Sequence, residues 1–124
     1  MEFLTKNQIL EAKDITFEDV EVPEWNGMIR IKCMTGSERD SYESALYEFH
    51  PSTDGKGKVK LNRDDLRAKL LARTIVNDKF ERLFSDIEVK KLGEKSAEVL
   101  DRLFAIAQKL NGLGKEELDN AEKN

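Results

Sequence analysis

The sequence predicts an α+β fold, a single and predominantly helical domain with a small antiparallel β-hairpin. Three features favour this class. Capping boxes at 35–38 and 85–88 mark the starts of two helices. Apolar residues recur at helical spacing after Ser96, whereas residues 28–34 alternate between apolar and polar side chains as a strand does. We therefore expect four or five helices and one hairpin.

The chain begins with a predicted short helix over residues 5–12. Thr5 suits the N-cap position because its hydroxyl can accept a hydrogen bond from the first turn. Ile9 and Leu10 supply the apolar side chains of this helix. We expect both of them to face inward.

Two strands follow and are predicted to pair as the hairpin. Residues 15–22 mix β-branched side chains with acids, and their imperfect alternation indicates a bulge at 18–19. A turn at 25–27 leads into the cleanly alternating strand 28–34. Pairing would bring the acids of the first strand close to the basic residues of the second, which are Arg30 and Lys32.

The helix that begins at the capping box of Thr35 is predicted to continue until Pro51 stops it. Its expected inward face consists of Tyr42, Ala45, Leu46 and Phe49. Residues 50–58 are polar and contain two glycines, so we expect them to form a mobile loop.

The middle of the chain predicts another helix, with Asn62 as its N-cap. The apolar face of this helix consists of Leu66, Leu70 and Leu71. Beyond it, the apolar segments 74–76 and 82–84 flank Asn77-Asp78 as in a small hairpin. A single longer helix through Val76 is the alternative interpretation.

The last predicted element is a helix over residues 96–110 with a wide apolar band. Gly112 suits the position just after a helix end. We therefore place a single domain at 1–112 and a polar, flexible C-terminal tail at 113–124. The band consists of Val99, Leu100, Leu103, Phe104, Ile106, Ala107 and Leu110.

Composition and charge exclude several classes of function. The net charge is −4 and the pI is about 5.2, which argues against binding to nucleic acid or to anionic membranes. A single cysteine rules out an intrachain disulfide. The sequence shows neither a signal peptide nor an apolar run long enough to cross a bilayer, so we expect a cytoplasmic protein.

Candidate catalytic residues are few, and each has a structural explanation. His50 is the only histidine and lies beside Pro51 at the entrance to the predicted loop, a poor place to hold catalytic geometry. Cys33 falls on the expected inward face of a strand, where a structural thiol is common. Residues 55–58 resemble a phosphate-binding loop only superficially, because the glycine spacing fails. We expect no catalytic site, metal or cofactor.

Two features are candidates for binding another protein. Trp25 lies in a turn, where it either packs on the core or anchors a partner. The apolar band of residues 96–112 also either packs on the core or binds a partner. A terminal helix with so wide a band can carry more apolar surface than one side of the domain covers. Its candidate binding residues are Leu103, Phe104, Ile106 and Leu110. Such a surface would fit a partner helix or another copy of this chain.

Several segments together resemble the tail assembly chaperones of tailed phages and Bacillus-type prophages, in their short form. The order and spacing of the segments carry the resemblance, which covers nearly the whole chain. The matching segments are Phe3-Leu4-Thr5-Lys6 with Ile9-Leu10, Val22-Pro23-Glu24-Trp25-Asn26-Gly27, Ile29-Arg30-Ile31, Met34-Thr35-Gly36-Ser37-Glu38-Arg39-Asp40, Arg67-Ala68-Lys69-Leu70-Leu71-Ala72-Arg73-Thr74-Ile75-Val76, Arg82-Leu83-Phe84-Ser85, Leu103-Phe104 and Ala107-Gln108-Lys109-Leu110-Asn111-Gly112.

The resemblance implies a protein that binds the tape-measure protein, keeps it soluble and helps tail tube subunits assemble around it. It also implies that the protein is absent from the finished virion, and that a longer frameshift product engages the tube subunits. A small regulatory adaptor of the anti-activator type is the competing class. Such an adaptor needs the same traits, namely an acidic surface, exposed apolar side chains and no reaction chemistry.

Overall fold

The computed structural model describes residues 1–114 and combines helices with two antiparallel sheets, so the α+β class is confirmed. The domain contains more strands than the expected single hairpin, because they form two sheets. A three-stranded sheet has the order β1-β2-β5, and β3 pairs with β4 in a second sheet. Within 1–114 the elements are α1 (Lys6–Glu11), β1 (Phe17–Val22), β2 (Gly27–Lys32), α2 (Gly36–Ala45), β3 (Tyr47–His50), β4 (Lys58–Leu61), α3 (Leu66–Thr74), β5 (Ile75–Val76), α4 (Val89–Gly93) and α5 (Ala97–Leu110).

The β1–β2 hairpin forms at the predicted place, but its register runs without the predicted bulge. Val20 stands opposite Ile29, and Glu18 opposite Ile31, in a continuous ladder. The bulge was inferred from a change of face between Phe17 and Val20, but Phe17 pairs with Lys32 inside the ladder. Phe17 therefore shares its face with Asp19, and not with the buried Val22. The expected cross-strand ion pair is present between Asp19 and Arg30, whose carboxylate and guanidinium atoms are 2.7 Å apart.

β5 gives the sheet its third strand, within the segment 74–76 that the hairpin interpretation treats as extended, although its pairing with β2 was not predicted. Ile75 pairs with Ile31 of β2, and α3 ends immediately before it at Thr74. Of the two interpretations of this region, the small hairpin is the one that the structure bears out, whereas the helix does not reach Val76. Val76 and Arg82 form an antiparallel bridge, and the N–H of Leu83 donates to the carbonyl of Ile75 at 3.3 Å.

The helix predicted from Thr35 ends at Ala45 and does not continue to Pro51, because Tyr47–His50 forms β3. Phe49 therefore does not share the inward face of α2 but lies on an exposed strand. The expected mobile loop over 50–58 is also wrong in part, since His50 and Lys58 are the last paired residues of a β3–β4 hairpin. Alternating aromatic and polar residues at 47–50 suit a strand better than a helix.

The start of α3 lies three residues later than predicted. Asn62 does not cap this helix, because its Oδ1 accepts a hydrogen bond from the backbone N–H of Asp64 at 2.9 Å and closes a turn before it. The helix begins at Leu66, and Asp65 in the left-handed region, with φ of 52°, precedes it.

α5 begins and ends as the sequence predicts. The Ser96 hydroxyl accepts a hydrogen bond from the N–H of Val99. At the other end Gly112 adopts a φ of 65°, and the N–H of Leu113 donates to the carbonyl of Gln108 at 2.8 Å, as in a Schellman motif. Leu113 is buried as well, and the domain boundary at 112 stays a prediction. The rest of the predicted tail, 115–124, lies outside the described residues.

The core is built around α3 and is completed by β1, β2, α2, α4, β5 and α5. α3 contacts α5, α4, α2 and β2. It contributes buried side chains on all sides, including Leu70 and Leu71. Leu103 of α5 is fully buried in the same core. By contrast, α1, β3 and β4 contribute no buried residue.

Replacing Leu103 by alanine should lower the free energy of unfolding by about 2–5 kcal/mol, because the change leaves a cavity in the core. Leu10→Ala is the matched control, since 73% of that leucine is exposed. The control should stay within about 0.5 kcal/mol of the unmodified protein. Urea unfolding followed by circular dichroism measures both, and equal losses would contradict this description of the core.

Candidate protein-binding surfaces

The apolar band of α5 divides into a buried centre and two half-buried edges. Leu103 is fully buried and has no surface left for a partner. Phe104, Ile106 and Leu110 pack against the core and remain partly exposed. Of the candidate residues on this helix, these three present surface, whereas Leu103 serves the core.

Trp25 lies beside this helix and is also half-buried against the core. The preceding residue, Glu24, accepts two hydrogen bonds from the Arg102 guanidinium of α5, at 2.8 and 2.9 Å. These bonds lower the pKa of Glu24 to about 2. The ion pair fixes the Trp25 turn against α5, on the side of the helix that carries Arg102.

The N-terminal arm, defined as residues 1–15, carries apolar side chains that the core does not use. Its helix α1 begins with a capping box between Thr5 and Gln8, which confirms the prediction that Thr5 is the N-cap. None of its residues is buried. Ile9 is 57% exposed and Leu10 is 73% exposed, so the expectation that they face inward is wrong. Phe3 is fully exposed.

A cleft of about 670 Å³ lies beside the arm. Leu10 and Ile15 of the arm line it together with Phe80. Lys32, also in its lining, is almost fully buried and forms an ion pair with Glu38. Burial alone would raise the pKa of Glu38, but hydrogen bonds from Lys32 and the Thr35 backbone outweigh it and lower the pKa. The cleft therefore has apolar walls around a neutralised ion pair. The cleft residues are Leu10, Glu11, Ala12, Lys13, Asp14, Ile15, Lys32, Thr35, Glu38 and Phe80.

Phe80 is held in place at this cleft by an aromatic and cationic stack. Its ring meets the ring of Phe17 edge to face, with centroids 5.1 Å apart. The Arg30 guanidinium lies 4.2 Å from the centroid of Phe17 and 4.9 Å from that of Phe80. Both rings remain partly exposed. Phe80 adopts a φ of 63°, which is an outlier for so bulky a residue.

The β3–β4 hairpin presents a second exposed apolar surface. Phe49 pairs with Val59, and Tyr47 with Leu61, so these four side chains share one face. Phe49 is 65% exposed and Val59 is 64% exposed. Gly57 permits this arrangement, since a Cβ at that position would lie 2.0 Å from the Phe49 ring.

The residues considered for chemistry are separate from one another. His50 lies on β3, with its Nε2 3.4 Å from a carboxylate oxygen of Glu48. The Cys33 thiol accepts a hydrogen bond from the Thr16 N–H at 3.3 Å. Within residues 1–114 there is no group of three or more histidine, cysteine or acidic residues placed to hold a metal ion. No helix among those residues has the length and apolar character needed to cross a membrane.

The arm and the hairpin are the candidate surfaces that sequence reasoning missed. Both contain apolar residues that the sequence predicted to face the core, such as Ile9 and Phe49, and that are exposed in the structure. Only the number of apolar residues in the first ten, five including Met1, hinted at a surplus. Helical spacing shows which side chains share a face, but it does not show whether the domain covers that face.

The fold and these surfaces define a small α+β domain whose candidate functional features are surfaces for other proteins. The family model for phage tail assembly chaperones matches residues 5–124. The chain therefore belongs to the phage tail assembly chaperones, and membership of this family implies a non-enzymatic role.

A solved structure supports the fold. The tail assembly chaperone of bacteriophage HK97 is 20% identical, with a TM-score of 0.57. The match covers 84% of this chain and 94% of that one. A comparison with curated proteins finds no match.

The ion pair between Glu24 and Arg102 should make part of the stability depend on pH. The pKa of Glu24 in the folded protein, about 2, lies below its ordinary value of 4.5. Its contribution is therefore present above pH 4.5 and is lost as the pH falls from there toward 2. Urea unfolding at pH 7 and at pH 2.5 should show a loss in Glu24→Gln at pH 7 that shrinks at pH 2.5.

Glu21→Gln provides the control for this measurement, because Glu21 is an exposed glutamate on the neighbouring strand. A deficit in Glu24→Gln that is the same at both pH values would show that the ion pair does not hold the turn.

Proposed function

We propose that this chaperone binds the tape-measure protein, keeps it soluble in the host cytoplasm and helps tail tube subunits assemble around it. The supporting observation is that large apolar side chains remain exposed on the arm and the hairpin, while α3 and its neighbours complete the core without them. A tape-measure protein is expected to be long and helical. Exposed apolar side chains suit the holding of such a partner.

The affinity expected from a few exposed apolar side chains suits a contact with the tape-measure protein that must later be broken. Burying an apolar side chain contributes about 1.5–3 kcal/mol relative to leaving it exposed, and ordering the partner offsets part of this gain. A few such side chains therefore hold a partner reversibly. That matters for a chaperone that tube subunits displace and that is absent from the finished virion.

The edge of α5 with Trp25 is one proposed binding surface. Phe104 and Ile106 are half-buried on the two edges of α5, and Leu110 is half-buried near its end. The Glu24–Arg102 ion pair keeps the Trp25 turn beside this helix. This surface extends the core, so it is rigid and fits a helix that places apolar anchors at helical spacing. A second copy of this chain is a further proposed partner for it.

Two other functions remain as proposals. Tube subunits are engaged either by this chain or by a longer frameshift product. A regulatory adaptor of the anti-activator type would use similar surfaces. Membership of the chaperone family favours the tail assembly role. The two roles differ in one measurable respect, because an adaptor would leave the tape-measure protein insoluble.

The test is co-expression with the tape-measure protein of the same phage, followed by measurement of its soluble fraction and of co-purification. Phe104→Asp, Ile106→Asp and Leu110→Asp should each reduce co-purification, because a charge cannot be buried against an apolar helix without a large penalty. Circular dichroism would confirm that each variant is folded.

Lys109→Asp is the control, since it introduces the same residue at an exposed position of the same helix. A tape-measure protein that stays insoluble with the unmodified chaperone would contradict the proposed function. Normal co-purification of all three folded variants would instead exclude only the α5 surface as the binding site, and the proposed function would stand.

A further inference from the structure

We infer that this chain binds a second copy of itself by strand addition, with β4 of one copy pairing along the outer edge of β1 of the next. The inference goes beyond the proposed function, because it concerns how copies of the chaperone associate and not what they hold. The interface consists of Phe17–Val22 on one copy and Lys58–Leu61 on the other, and it is separate from α5.

Both strands have an unpaired edge. β1 lies at one end of the sheet order β1-β2-β5, and β3 and β4 form a sheet of two strands, so β1 and β4 each have a neighbouring strand on one side only. Among residues 1–114, no backbone hydrogen bond from another element reaches the outer edge of either strand. The N–H and C=O groups of such an edge are a template for a further strand. These edges therefore select an extended segment as their occupant.

The charges of the two strands select that segment from this same chain. β1 contains three acids and no basic residue, whereas β4 contains two lysines and no acid. Asp19 is paired with Arg30 of its own sheet. Within the described part of the chain, the other charged side chains of the two strands form no ion pair, and they are Glu18, Glu21, Lys58 and Lys60.

The same charges disfavour the symmetric pairings. Two β1 edges would bring acids against acids, and two β4 edges would bring lysines against lysines, and like charges directly opposite each other destabilise a pair of strands. Charged residues on an edge strand commonly prevent such association. Here they block β1 from pairing with β1 and β4 from pairing with β4, but they favour β1 with β4.

One antiparallel register satisfies both the charges and the directions of the side chains. Residues of a strand alternate between two faces. Val20 packs against the core and Val59 is 64% exposed, so placing these two valines opposite each other would bring the apolar face of the hairpin to the core side of the sheet. The flanking pairs are then Asp19 opposite Lys60 and Glu21 opposite Lys58.

This contact would be head to tail, because each copy contributes a different strand to each of its two neighbours. Such a contact does not stop at a dimer unless the copies close into a ring. Cross-strand pairs of this kind contribute about 0.2–1 kcal/mol each, so the association would be weak and would depend on the concentration of the chaperone.

The test measures self-association of the full chain by sedimentation equilibrium from about 10 μM to about 1 mM, the range in which a small interface dissociates. The mean mass of the unmodified chain should rise with concentration and exceed that of a dimer. Glu21→Lys and Lys58→Glu should each weaken the association at least about tenfold, because each places like charges opposite each other. Asp40→Lys, at an exposed position of α2, is the control and should associate normally.

Restoring the charge pair distinguishes this interface from a loss of stability. The double variant Glu21→Lys with Lys58→Glu should associate like the unmodified chain, because the acid and the base have only exchanged strands. An equimolar mixture of the two single variants should also associate, since every contact between unlike copies again pairs an acid with a lysine. Circular dichroism would confirm that the single variants are folded.

The inference is overturned if both single variants associate normally, if the double variant does not recover, or if the assembly stops at a dimer. A chain that stays monomeric at about 1 mM would overturn it as well, and would leave the β1 edge to a basic strand of another protein. These measurements use this chain alone. The proposed function is judged separately, by the solubility of the tape-measure protein in the co-expression experiment.

Discussion

The burial of α3 on all sides is the constraint on which the rest of this structure depends. Residues 70–74 of α3 are all buried among α2, α4, α5 and β2, so Arg73, the one cation among them, must be satisfied internally. The Arg73 guanidinium donates to the Lys69 carbonyl at 2.8 Å and to the Ser41 hydroxyl at 3.2 Å, and it lies 3.5 Å from Asp86. Burial lowers the pKa of Arg73, and the nearby Asp86 carboxylate opposes this shift. These contacts connect α2, α3 and the turn before α4, and that connection closes the core around α3.

A core completed in this way separates two kinds of apolar residue. Those around α3 stabilise the domain, whereas those of the arm and the hairpin lie outside it. Under the proposed function, stability and partner binding would therefore fall to different residues, with the edges of α5 as the place where both meet. This separation lets a chaperone expose apolar surface without weakening its own fold. The acidic character of the first 22 residues keeps that surface soluble when it has no partner.

Local signals made several elements predictable from the sequence. Ser96 and Gly112 define α5, Thr35 defines the start of α2, and the alternation of 28–34 defines β2, because each depends on neighbouring residues only. The errors arise where distant residues decide. Phe49 joins a strand because residues 58–61 pair with it, and Ile9 stays exposed because no other element covers α1. Of the candidate binding residues, Trp25 and the edges of α5 were identifiable by residue type. The cleft at Phe80 was not, since it joins parts of the chain that the sequence does not relate.

The β3–β4 hairpin has a consequence for how the molecule opens. Its base is closed by the N–H of Asn62, which donates to the carbonyl of Leu46, and none of its residues belongs to the fully buried core. An isolated two-stranded hairpin is only marginally stable in water. We therefore expect its amides to exchange with solvent through local opening, at a free-energy cost below that of global unfolding. On this view the hairpin would open separately from the core, and a partner that covers its apolar face would raise the cost of that opening.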